Sequence, residues 1–182
     1  MTTAQTGRTQ WRLFWIFYLT GLSAFAYIAA TNTAFVTEVS PGGILDHQSA
    51  GVGAVADRIH AAWKEKGSFG FAKVSMSLDL VFITFQTLAG VTAGYLIARK
   101  GGVKGMLGWT ILGVWLVFGA CDYIETTCQL VQVLQDRGSD ELAGLAASVK
   151  PVKVAAFLGG TLLLWAGLIW TGIAGRKAPP AV

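Results

Sequence analysis

Four stretches of this chain, near residues 11–33, 75–98, 105–131 and 152–174, are long and apolar enough to leave water for a bilayer. A helix needs about 20 mainly apolar residues, at ~1.5 Å rise each, to cross a hydrocarbon core of roughly 30 Å. Each run meets that length. Composition agrees: charged residues make up 13% of the chain, against about 25% in soluble domains. The expected fold is all-α: one polytopic membrane domain over residues 1–182, built as a four-helix transmembrane bundle.

The first run, "LFWIFYLTGLSAFAYIAA", follows Arg8 and Arg12 and has some features of an export leader. It is longer than the roughly 7–15 apolar residues of such a leader, so it is read as the first transmembrane helix.

Charge then sets an orientation. Arg8 and Arg12 precede the first run, Arg99, Lys100 and Lys104 fill the second loop, and Arg176 and Lys177 follow the last run, with no acid among them. The first and third loops mix both signs. The positive-inside rule places both termini and the "ARKGGVKG" loop in the cytoplasm of a bacterial inner membrane. Loops one and three then face outward. The basic balance is thereby explained without nucleic acid, and no such partner is expected.

The outward segment 34–74 contains "VGAVADRIHAAWKEKG", in which Val52, Val55, Ala56, Ile59, Ala62 and Trp63 recur at helical spacing. This predicts an amphipathic helix lying along the outer interface, with Trp63 as anchor and His60 on its solvated face. "SPGG" at 40–43 reads as a turn, and Gly67 with Gly70 should end the surface helix. In the third loop, Ser139 should cap a short surface helix, and Pro151 should open the last span. The ends "MTTAQTGRTQ" and "APPAV" are expected to be irregular. Gly90 and Gly94 on helix two, and Gly159, Gly160, Gly167, Gly172 and Gly175 on helix four, predict close helix packing.

Acids inside the spans carry the functional signal. Asp79 enters with helix two; Asp122 and Glu125 leave with helix three, in "ACDYIETTCQL". A charge at the bilayer centre costs about 3 kcal/mol on insertion scales, so these acids need partners. Helical spacing adds Ser75 and Gln86 to the Asp79 stripe, and Thr126 and Gln129 to the other. The two stripes should face each other in an outward-facing acidic pocket between helices two and three, a turn or two below the interface, with Asp46 of loop one nearby. Three arrangements offset the cost: protonated acids bonded across helices, ammonium groups of Lys73, Lys150 or Lys153 reaching in, or a bound cation, proton or polar ligand group.

Other chemistry is thin. His47 with Asp46 is a weak candidate metal pair without a recognised spacing motif. No span holds a histidine, so membrane haem has no ligands, and no cofactor is expected beyond a bound lipid. Cys121 and Cys128 lie about 10 Å apart along one helix, too far for a disulfide.

The segments "GGILDHQSAG", "SLDLVF" and "ACDYIETT", over roughly residues 43–128, resemble a group of small bacterial four-helix membrane proteins. These carry Leu-Asp in loop one, L-D-x-x-F on helix two and D-x-x-E-N on helix three. The resemblance implies that Asp46, Asp79, Asp122 and Glu125 belong together. Thr126 stands where the group has Asn, so an amide-dependent role there does not transfer. The resemblance implies no activity.

The leading expectation is a non-enzymatic membrane protein, either an accessory subunit or a lipid- or ligand-binding bundle. Its partners would be membrane lipids, other membrane subunits or further copies of itself. A proton- or cation-coupled carrier using the same acids is the second reading. A membrane enzyme acting on a lipid, with Glu125 or Asp122 as general acid/base, is the third.

Overall fold

Each apolar run forms one unbroken helix in the computed structural model, which describes residues 3–175, with side chains from 9 to 172. The elements are α1 (Thr3–Thr31), a 3-10 turn (Asn32–Phe35), α2 (Ile44–His47), α3 (Gly53–Glu65), α4 (Phe69–Ala98), α5 (Gly102–Gln135) and α6 (Asp140–Gly175). Four of them, α1, α4, α5 and α6, are long and apolar enough to cross a membrane. The protein is a multi-pass helical bundle.

The helices overrun their predicted limits. Helix α1 already begins at Thr3, within the N-terminal segment expected to be irregular; Arg176, Lys177 and "APPAV" lie outside the described residues. Helix α4 starts at Phe69, so Gly70 sits inside it rather than in the linker. Chain reversal there falls to Gly67, whose φ of 78° suits a residue without a Cβ. The separate surface helix expected in the third loop is instead the first part of α6, which runs through Pro151 without a break. Ser139 does cap it, its Oγ accepting from Leu142 N at 3.3 Å. Proline lacks one N–H and interrupts one helical bond, which a long, packed helix absorbs.

Packing is sequential: α1 lies on α4, α4 on α5, and α5 on α6. The α4–α5 seam is the closest, and glycines make it so. A Cβ on Gly108 would stand 2.2 Å from Ala98 N, and one on Gly94 2.7 Å from Leu112 N. A Cβ on Gly90 would fall 2.0 Å from the Trp115 ring, which fills the space that glycine leaves. On α6, Gly160 and Gly167 face neighbours, whereas Gly159 and Gly172 face open space. Only part of that glycine stripe is a packing surface.

Helices α1 and α6 meet differently. Aromatic side chains bridge them, Tyr18 to Trp165 and Phe25 to Phe157, with ring centroids 5.9 and 6.4 Å apart. Their backbones stay apart, and a cleft remains between them at the end carrying α2 and α3.

That end is a folded cap with its own core of Phe35, Ile44, Ile59, Trp63, Ala72, Met76 and Val133. Helix α3 is amphipathic, but its apolar face is spent inside the cap. Trp63, expected as an interfacial anchor, is fully buried; its Nε1 donates to Phe35 O at 2.9 Å and Ser40 Oγ at 3.2 Å. The "SPGG" turn forms as expected, with Gly43 N bonded to Ser40 O. Polar ties lock the cap to the α5–α6 connection. Gly53 N donates to Asp140 Oδ1 at 2.7 Å, Gly138 N to Asp57 Oδ1 at 2.5 Å, and Lys64 pairs with Asp136.

Candidate ligand cavity beneath the cap

The site residues come from three helices at one level of the bundle. Asp79 lies about ten residues, or ~15 Å, into α4, and Glu125 a similar distance from the end of α5. Both are deeper from the helix ends than a turn or two, because the helices extend into the cap. Measured instead from Lys73, the nearest basic residue on α4, Asp79 is ~9 Å further down.

Lys153 of α6 organises the cluster. Its Nζ donates to Glu125 Oε1 at 2.6 Å and sits 3.1 Å from Asp122 Oδ1. All three are buried, at 9%, 0% and 2% exposure. Gln129 Nε2 adds a second bond to Glu125 Oε1 at 3.2 Å, while Glu125 Oε2 has no partner among the described residues. Asp79 is held by a neutral donor, Thr126 Oγ1 at 2.7 Å from its Oδ2. Bringing charges together is what makes their burial tolerable: unpaired, each costs several kcal/mol, and a bonded pair recovers most of it.

Of the three basic residues able to reach the acids, only Lys153 does so. Lys150 donates to Leu45 O at 3.0 Å and to Ser49 Oγ, tying α2 to α6. Lys73 lies over the Phe69 ring. Two other expected members are elsewhere. Gln86 is buried against Gly21 of α1, away from the acids. Asp46 closes its own turn by accepting from Gly42 N at 2.6 Å.

A cavity of about 380 Å³ opens onto this cluster from the α1–α6 cleft. It differs from the expected acidic pocket between helices two and three: α4 and α5 supply its floor, and α1, α2 and α6 its walls. Asp79, Asp122, Lys150 and Lys153 are its charged lining; Phe25, Ile28, Phe82, Phe118, Phe157 and Leu158 are among its apolar lining. Glu125 and Gln129 sit behind that floor. Sequence reasoning missed the walls, since nothing in the pattern of α1 or α6 says which two neighbours leave a gap.

The histidines are also placed unexpectedly. His47 and His60 are 2% and 1% exposed, with Nε2 atoms 2.9 Å apart and rings stacked at 5.0 Å between centroids. His60 is therefore not solvated, although α3 carries it at a position that reads as polar. Burial lowers the His47 pKa to about 3, the neighbouring His60 adds to the shift, and Gln129 opposes it. Burial lowers that of His60 as well, against the pull of Asp57 and Asp136. Both are neutral at ordinary pH, one Nε2–H donating to the other ring. His47 is not paired with Asp46 as a metal ligand would require, and no group of three or more His, Cys, Asp or Glu among the described residues is arranged to hold a metal ion. Cys121 and Cys128 are free thiols.

The chemistry on offer is binding. The floor can accept hydrogen bonds and attract charge; the walls can hold a chain or ring. No protein-family model matches this chain, and neither a curated protein nor a solved structure matches it.

Proposed function

We propose that this protein is a non-enzymatic ligand-binding membrane bundle whose α1–α6 cavity takes an amphiphile, with the apolar body against Ile28, Phe82, Phe157 and Leu158 and the polar end on Asp79, Asp122 and Lys153. One observation carries the reading: a charged floor open to an apolar cavity of about 380 Å³, within the usual range of small-molecule sites, roughly 300–1,000 Å³. The gap lies between two membrane-crossing helices, so a lipid-like molecule could enter sideways from the bilayer. Arg12, Arg99, Lys100 and Lys104 at the far end of the bundle favour a bacterial inner-membrane topology with the cap outward. The resemblance to the D-x-x-E-N group fits this picture at Asp79, Asp122 and Glu125. Here Thr126, in the Asn position, supplies the donor to Asp79.

The carrier reading draws on the same acids, yet Gln86 is the nearest buried polar residue further down α4 and lies apart from them. The enzyme reading has one hydroxyl beside the carboxylates, Thr126, but it is fully buried and donates to Asp79 rather than lining the cavity.

Native mass spectrometry tests the proposal, with wild type measured beside Ala29→Trp, which places an indole in the cavity wall, and beside Asp122→Asn/Glu125→Gln. A retained amphiphile mass on wild type that Ala29→Trp loses is the expected result. A bare chain in every case, or the same lipids on wild type and Ala29→Trp, would refute it.

A further inference from the structure

The charges around the cavity do not balance. Three carboxylates, Asp79, Asp122 and Glu125, stand against two ammonium groups among the described residues, Lys150 and Lys153, and Lys153 is already committed to two of them at 3.1 and 2.6 Å. Lys150 reaches the cavity rim but donates to α2. Asp79 is left facing the cavity with the Thr126 hydroxyl as its hydrogen-bond partner among the described residues. Asp122, at 2% exposure, also lines the space, its Oδ1 met by the Lys153 ammonium at 3.1 Å, which it shares with Glu125. Behind it, Glu125 Oε2 is wholly buried without a donor. An anionic head placed here would add to the excess of negative charge. A neutral head would leave Asp79 either charged in an apolar surround, where charge is costly, or holding a proton.

The walls favour the same sign. Phe25, Phe82, Phe118 and Phe157 all line the cavity, and their rings stand at varied angles to one another: 37° between Phe25 and Phe82, 74° between Phe82 and Phe118, 40° between Phe118 and Phe157. Ring faces carry negative electrostatic potential and attract cations, above all weakly hydrated ammonium groups. Carboxylates at the floor and phenyl rings around them make a lining suited to an organic cation.

Building on the amphiphile reading, we infer that the cavity selects a lipophilic cation, an alkylammonium head resting on Asp79 and Asp122 with its chain among the phenyl rings and α6. The same chemistry occurs on an aminolipid headgroup and on a free amphiphilic amine. The head brings Asp79 a positive charge, since Lys153 is held by Asp122 and Glu125 and Lys150 by α2.

The test uses the full chain in phosphatidylglycerol nanodiscs and three probes sharing one chain: decyltrimethylammonium, decanol and decanoate. Equilibrium dialysis gives binding above the level of Ala29→Trp nanodiscs, which cancels partition into lipid. Wild type should hold the cation at least about tenfold tighter than either other probe. Asp79→Asn, which keeps a side chain able to bond Thr126, should bring the cation to the decanol level, and Asp79→Glu should keep the preference. Decanol binding by Asp79→Asn shows that the cavity is still formed. If aminolipid added to the nanodisc displaces the cation, the natural source is a headgroup; if it does not, the source is a free amine. Equal binding of cation and decanol, or a preference that survives Asp79→Asn, would overturn the charge inference and leave the amphiphile reading standing. No probe bound above the filled variant would overturn both.

Discussion

Acid should open the cap, and the His47–His60 pair sets how far. The two rings are neutral and buried, sharing one hydrogen bond at 2.9 Å. Burial has taken the His47 pKa from 6.5 down to about 3. A group whose pKa is depressed on folding binds its proton more readily in the open state. Its contribution to stability is therefore fully present above about pH 6.5 and is lost as pH falls from there toward 3. Each pH unit in that window is worth about 1.4 kcal/mol. At about pH 5 the loss from His47 is roughly 2 kcal/mol, a roughly 30-fold rise in the population of open cap. His60, shifted the same way, adds to it. Hydrogen exchange of residues 44–65, corrected for intrinsic rates, reads this population directly. Wild type should lose about 30-fold or more in protection between about pH 7.5 and about pH 5. His47→Leu/His60→Leu removes both partners of the bond together and should flatten the response. Undiminished wild-type protection at about pH 5 would refute the reasoning. So would equal acid sensitivity in the double variant, which would move the cause to carboxylate ties such as Asp57 to Gly138.

Three further outcomes follow from the packing and the charges. Lys153→Met leaves Asp122 and Glu125 without their cation and should lower stability by about 3–5 kcal/mol, whereas adding Glu125→Gln should restore part of it; thermal unfolding in mild detergent gives both, and an additive pair would count against the ion cluster. Gly108→Ala drives a methyl to 2.2 Å from the Ala98 backbone and should cost at least about 2 kcal/mol in the same assay, while Gly113→Ala, facing open space, should be near neutral. Trp63→Phe removes the indole donor from the Phe35 carbonyl, which keeps the Ser40 hydroxyl, and should cost about 1 kcal/mol, read as faster exchange in the cap.

Much of the bundle was legible because a bilayer leaves few choices. Long apolar runs must be helices, and the acids at 79, 122 and 125 stand out against them. Helical spacing also placed Thr126 and Gln129 on the right side of α5. It failed at Gln86, which shares the Asp79 face but lies two turns, ~10 Å, further along α4, where Gly21 of α1 makes room for a large amide. Helix ends were misjudged beside the cap: Phe69, Phe71 and Ala72 extend α4 by packing into the cap core, and Ser139 caps an extension of α6 over residues 140–150. The cap itself was least readable. Trp63 and His60 look like an interfacial anchor and a solvated imidazole until Phe35, Ser40 and His47 arrive from elsewhere in the loop. The cavity has no local signal at all, since it exists where α1 and α6 decline to pack.

A ligand-binding bundle of this kind should hold an occupant in that cavity. A cryo-electron microscopy map of the protein in native lipid nanodiscs, at side-chain detail, would look at it directly. Continuous density entering between α1 and α6 on the cap side of Phe25 and Phe157, and ending within hydrogen-bond distance of Asp79 or Asp122, is the predicted result. A closed α1–α6 seam, or a cleft holding only water above the Lys153 cluster, would contradict it.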